Sequence, residues 1–249
     1  MNDYFKNLNK IEFAVTMSCT GKCKHCQNGD PDNNSEHLDS SFANEMIKQV
    51  CKYYKISTVM TFGGESLLYP DTVCDIHKTA KELGVSKRQI ITNGYFSKNN
   101  VTIDEVAHKL ALSYVNDLLL SVDAFHQETI PIAPVKYFAE CALKYGLPIK
   151  LQPAWLVSQD DNNPYNLKTK EILHMFDYLN IPEGSGNVIF PSGNALKYLK
   201  GYFDDSTLSS PYEEVPYDIK TLSVEPNGNV LNGNIYKTDI IEIMNKYYP

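Results

Sequence analysis

The chain has 249 residues, 43% of them hydrophobic and 21% charged, with a formal net charge of −7. That supplies core material for one large domain or a barrel with a small appendage, and its acidic balance argues against general nucleic-acid binding. Apolar runs no longer than a strand, and an N-terminus without an apolar stretch, exclude a membrane span and a signal peptide, so the expected location is the cytoplasm.

A strand is predicted at 11–16, and it runs into Cys-Thr-Gly-Lys-Cys-Lys-His-Cys, a C-x3-C-x2-C spacing of Cys19, Cys23 and Cys26. Ser40 or Ser41 is expected to cap a helix to about residue 54, with Phe42, Met46, Ile47 and Val50 on one face. A short strand at 57–62 ends in Gly63-Gly64-Glu65, and a helix at 70–83 stops at Gly84. The third strand, 89–92, ends in Asn93-Gly94, and Thr102 with Glu105 forms a capping box for a helix to about 112. Strand 117–122 leads to Asp123 and His126. Helix 135–145 closes at Gly146, and strand 149–155 carries Gln152 and Trp155. Helix 167–179 and strand 187–190 follow, the latter ending in Pro191-Ser192-Gly193. A turn-rich acidic stretch at 201–218 is expected to cross the barrel. Segments 222–225 and 229–231 flank Pro226-Asn227-Gly228 as a hairpin, and 239–247 forms a last helix.

Alternating strands and helices predict an α/β fold with a parallel sheet and right-handed crossovers. Six units are too few for a closed eight-stranded barrel. The expected fold is a partial (β/α)6 TIM-like barrel over 1–200, with an extension of loop, hairpin and helix over 201–249 packed on it. The polar clusters all follow strands, at the end where barrels place active residues.

Three cysteines within eight residues suit an iron–sulfur cube better than zinc. A cube has four irons, so one is left without a protein ligand, which implies chemistry rather than scaffolding. Gly21 is expected to take a positive φ and turn Cys23 toward the same centre. A Cys3His zinc site with His25 or His37 would want a second knuckle or a His pair at metal spacing, and the chain has neither. Cys51, Cys74 and Cys141 fall singly in predicted helices and read as buried free thiols.

With C-x3-C-x2-C after the first strand and Gly63-Gly64-Glu65 after the second, the chain resembles the radical S-adenosylmethionine (radical SAM) superfamily over about 11–193. The resemblance implies a [4Fe–4S] cluster on Cys19, Cys23 and Cys26, with S-adenosylmethionine chelating the open iron. It implies reductive cleavage of that cofactor to a 5′-deoxyadenosyl radical, which takes hydrogen from a small-molecule or peptide substrate. An electron donor such as flavodoxin or ferredoxin is implied with it. His25 would lean on adenine, Gly63 and Gly64 would admit the methionine moiety, and Glu65 would pair with its ammonium. Ser66 stands where the family commonly has proline. Asn93, Ser121, Asp123 and Pro191 are the remaining expected cofactor contacts, and Asp123 and His126 the expected catalytic pair.

The tail Ser223-Val224-Glu225-Pro226-Asn227-Gly228-Asn229-Val230 resembles the opening hairpin of the SPASM extensions of peptide-modifying members. No cysteine follows Cys141, so a cysteine-free remnant and a single cluster are expected. A leader-peptide domain has no room here and would come from a partner. A glycyl-radical-enzyme activating enzyme is an alternative, because Cys26-Gln27-Asn28 echoes the sequence after the last cysteine of those enzymes. From another class, a non-catalytic zinc or iron–sulfur interaction or sensor protein would need the cysteines but not Gly63-Gly64-Glu65.

Overall fold

The computed structural model describes residues 2–32, 36–203 and 215–249. In chain order its elements are β1 (Lys10–Ala14), α1 (Ser40–Cys51), β2 (Thr58–Phe62), α2 (Pro70–Glu82), β3 (Lys87–Thr92), α3 (Asn100–Leu112), β4 (Asp117–Ser121), α4 (Ala124–Gln127) and α5 (Ile132–Lys144). β5 (Ile149–Gln152), β6 (Ala154–Trp155), α6 (Pro164–His174), β7 (Asn187–Val188), α7 (Gly193–Tyr198), β8 (Thr221–Val224), β9 (Asn229–Val230), β10 (Gly233–Asn234) and α8 (Ile240–Lys246) complete them.

The main sheet has the order β5-β4-β3-β2-β1-β8, and every pairing in it is parallel. β5 and β6 are the two halves of the predicted strand 149–155, separated by Pro153, which has no N–H for a ladder. The second half pairs in parallel with β7, so the wall continues β8-β1-β2-β3-β4-β5/β6-β7. Among the described residues β7 and β8 do not pair, and the barrel stays open, as expected for a partial TIM-like fold.

Helices cover one face of this wall. Ile11, Phe13, Val59, Ile90, Leu118, Leu120, Ile149 and Leu151 are buried with apolar residues of α1, α2, α3 and α5. The strand period of two sends their neighbours to the other face. There Glu12, Gln89, Ile91, Leu119 and Gln152 are half-buried and Lys150 is exposed. A closed barrel fills that face with apolar layers; here it stays accessible and partly polar.

Several local expectations change. Asp39, not Ser40 or Ser41, caps α1, accepting from Ser41 N at 2.8 Å. Phe42 is 40% exposed and meets Tyr236 edge-on, while Ala43, Met46, Ile47 and Val50 form the buried face. Asn99 caps α3 and places Thr102 inside the helix, so the expected capping box does not form. The segment at 222–225 lies beside β1 rather than in a hairpin ladder with 229–231; the antiparallel pair is β9 with β10. Cys74 and Cys141 are buried free thiols, whereas Cys51 is only half-buried. The expected crossing loop at 201–218 lies mostly outside the described residues.

Candidate active site

The cysteine loop leaves β1 and is gripped by the loops of four other strands. After β2, Gly64 N donates to Thr16 O at 2.7 Å and Glu65 N to Ser18 O at 2.8 Å. A side chain cannot fit at either glycine: a Cβ on Gly63, whose φ is +137°, would lie 2.4 Å from Thr16 O, and one on Gly64 would lie 2.2 Å from Ser18 O. After β3, Asn93 Nδ2 donates to Cys19 Sγ at 3.5 Å and to Thr20 Oγ1 at 3.2 Å. After β4, Thr129 Oγ1 accepts from Lys22 N at 3.0 Å, and Glu128 pairs with Lys24 at 3.0 Å. After β7, Asn194 N donates to Cys26 O at 2.9 Å and its Nδ2 to Cys23 O at 3.3 Å. Gly193 packs so closely there that a Cβ would fall 2.5 Å from Cys26 O.

Gly21 is not in the left-handed region. Its need is space: a Cβ would lie 2.9 Å from Ile130 Cδ1 and 3.3 Å from Cys23 Sγ.

Glu65 is fully buried and ties the ends of β2 and β3 together. Its Oε1 accepts from Leu67 N at 2.9 Å and Thr92 Oγ1 at 2.7 Å, and its Oε2 from Asn93 N at 2.8 Å. Burial pushes its carboxyl pKa up, against the pull of those three donors. A carboxylate offers about four acceptor positions, so one on Oε2 is unused by the described residues.

Asp123 is also fully buried, and all its positions are filled. Oδ1 caps α4 through Phe125 N and His126 N, both at 2.9 Å. Oδ2 accepts from His126 Nδ1 at 2.8 Å and from Ala154 N at 3.1 Å. Burial opposes its ionisation, but the His126 charge and hydrogen bonds win and hold its pKa to about 2. The same pairing outweighs burial at His126 and raises its pKa. His25 packs its ring on Phe125 at 5.0 Å and on His126 at 4.9 Å, and burial lowers its pKa to about 4. Phe125 in turn stacks on Tyr165 at 4.6 Å.

Ser121 is buried at the end of β4, and Pro191 is half-buried between β7 and α7. Trp155 is core, its Nε1 donating to Ser185 O at 3.0 Å. Asn194 and Thr129, which hold the loop, were not expected from sequence. The signal for Asn194 was a polar residue directly after the Pro191-Ser192-Gly193 turn.

The donor set fits a group with thiolate ligands. Burial pushes the Cys19 thiol up to about 11, with the Glu65 carboxylate adding to it. Burial, then Asp123, pushes the Cys23 thiol higher still. Without a bound cation these sulfurs stay protonated; a metal would hold them as thiolates. Nδ1 of His25 and Oγ of Ser192 are buried without a partner among the described residues, as expected beside a site that receives a polar ligand.

The model of the Radical SAM superfamily matches residues 13–144, from β1 through α5. Among solved structures, anSMEcpe with bound AdoMet (S-adenosylmethionine) aligns with a TM-score of 0.61 at 14% identity, over 96% of this chain and 80% of that one. SuiB of Streptococcus suis bound to S-adenosylmethionine aligns with a TM-score of 0.58 at 14% identity, over 95% of this chain but 65% of that one. BtrN in complex with AdoMet and 2-DOIA aligns with a TM-score of 0.54 at 16% identity, over 98% and 83%. A search of curated proteins gives no match. No described helix is long and apolar enough to cross a membrane. The chain belongs to the radical SAM superfamily, and so to the enzymes that work with a [4Fe–4S] cluster and S-adenosylmethionine.

Proposed function

We propose that this chain cleaves S-adenosylmethionine reductively at a single cluster held by Cys19, Cys23 and Cys26, and abstracts hydrogen from a small polar molecule or peptide inside the open barrel. When bound, the cluster and cofactor supply a one-electron scission of a carbon–sulfur bond and the adenosyl radical it releases. The observation that supports this reading best is the convergence of the β2, β3, β4 and β7 loops on one cysteine loop. No cysteine after Cys141 could ligate a second cluster.

The remaining work belongs to the chain. Glu65 offers its unused Oε2 position to the cofactor ammonium while its other bonds fix the β2 and β3 ends. His25 and Pro191 flank the adenine, and Asn93 and Ser121 bind polar parts of the cofactor. Asp123 acts through His126, whose ring it orients toward the cavity. The buried Ser121 at the end of β4 and the half-buried Gln152 at the end of β5 are register partners at the mouth of the accessible face, which suits a polar substrate. Both substrate classes have precedent in the fold: SuiB has been solved with the precursor peptide SuiA and BtrN with 2-DOIA. The electron comes from a small donor of the flavodoxin or ferredoxin type.

Anaerobic reconstitution tests the cluster count and the cofactor site together. About four irons and four sulfides per chain are expected, with an electron paramagnetic resonance signal that changes when S-adenosylmethionine is added. About eight irons, or a signal indifferent to the cofactor, would overturn the reading.

A further inference from the structure

The ligand atoms of Cys23, His25 and His126 lie within 4.8 Å of one another, a grouping that includes neither Cys19 nor Cys26. We propose that the cluster-free chain binds one zinc-class divalent ion on Cys23, His25 and His126. A tetrahedral zinc site has Zn–S near 2.3 Å and Zn–N near 2.0–2.1 Å, so its donors sit roughly 3.5 Å apart. The three groups therefore need to close by only about 1 Å around an ion.

The surroundings are those of a metal-binding histidine. His126 Nδ1 is bonded to Asp123 Oδ2 at 2.8 Å, which leaves Nε2 for the ion. Asp123 is itself locked by three backbone donors, Phe125 N, His126 N and Ala154 N. A carboxylate behind a ligating histidine fixes its tautomer and raises its basicity. His25 Nδ1 is buried with no partner among the described residues. Cys23 is 8% exposed, so its sulfur is shielded from oxidation. Binding displaces the Cys23 thiol proton to solvent, and the fourth position is left to water.

The ion and the iron–sulfur cluster both require Cys23, so occupation by one excludes the other. This exclusion rests on Cys23 being a cluster ligand; the ion site itself does not.

Cobalt(II), added to the cluster-free full chain without oxygen, is the probe. One equivalent should give tetrahedral d–d bands and a thiolate-to-cobalt charge-transfer band. Cys23→Ser and His126→Ala should each weaken binding by about 100-fold or more, and Asp123→Asn by about 10–100-fold. Cys19→Ser and Cys26→Ser should bind as the parent does. His25→Phe, which keeps an aromatic ring against Phe125, should also lose affinity, and circular dichroism checks the fold of each variant. Loss of binding in Cys19→Ser or Cys26→Ser equal to that in Cys23→Ser, or an octahedral spectrum without the thiolate band, would overturn the site. Zinc added before reconstitution should lower iron uptake in proportion to the zinc bound. Unchanged iron uptake would overturn the exclusion.

Discussion

A single buried carboxylate, Glu65, ties the loop after β2 to the end of β3. Replacing it by Gln leaves one oxygen for donors that now use two: Leu67 N and Thr92 Oγ1 on one side, Asn93 N on the other. One buried N–H then faces an amide N–H and goes unpaired, which costs about 1–3 kcal/mol. Urea unfolding of the cluster-free Glu65→Gln variant should show that loss, and an unchanged midpoint would mean that the carboxylate does not hold the loops. The recognisable Gly63-Gly64-Glu65 triplet marked Glu65 in the sequence as an expected cofactor contact. Its three internal partners were not legible, since Thr92 and Asn93 follow a different strand. Gly63 and Gly64 shift in the same way: the contact that forbids a side chain is the cysteine-loop backbone, a packing fact that spacing alone does not reveal.

At the scale of elements, the longer helices followed from apolar periodicity and α2 starts at Pro70 as expected, while the short α4 and α7 and the caps of α1 and α3 did not follow. Where Asp39 precedes Ser40 and Ser41, or Asn99 precedes Thr102, several residues are chemically fit to cap, and tertiary packing chooses among them. The packing of α2 on β2 carries its own signature. His77 is fully buried, with its Nε2 2.9 Å from Thr61 Oγ1. Burial, with Arg88 adding, lowers its pKa from 6.5 to about 3. In the unfolded chain His77 protonates near its ordinary value, so between that value and the lowered one the unfolded state binds more protons. Stability from neutral His77 is therefore complete above pH 6.5 and falls as pH drops toward 3. Its contribution to the slope approaches about 1.4 kcal/mol per pH unit. His77→Gln should flatten the pH dependence of unfolding in that window, and parallel curves for parent and variant would refute the assignment.

At the scale of the molecule, seven strand positions form an open wall with helices on one face and a half-polar surface on the other. The alternation of strands and helices made most of this wall readable. The parallel placement of β8 against β1 was not, because Lys10 and its partner Thr221 are far apart in sequence and the local pattern around Pro226-Asn227-Gly228 reads as a hairpin. The short β7 was readable as a strand, but its docking onto β6 across the Pro153 break was not. The proposed cleavage of S-adenosylmethionine takes place where the loops of β1, β2, β3, β4 and β7 meet. The direct test is to reconstitute the protein anaerobically, add dithionite and S-adenosylmethionine, and quantify 5′-deoxyadenosine by mass spectrometry. The parent chain should form it, and Cys23→Ala should form none. A parent protein that carries its cluster and yields no 5′-deoxyadenosine would contradict the proposed cleavage.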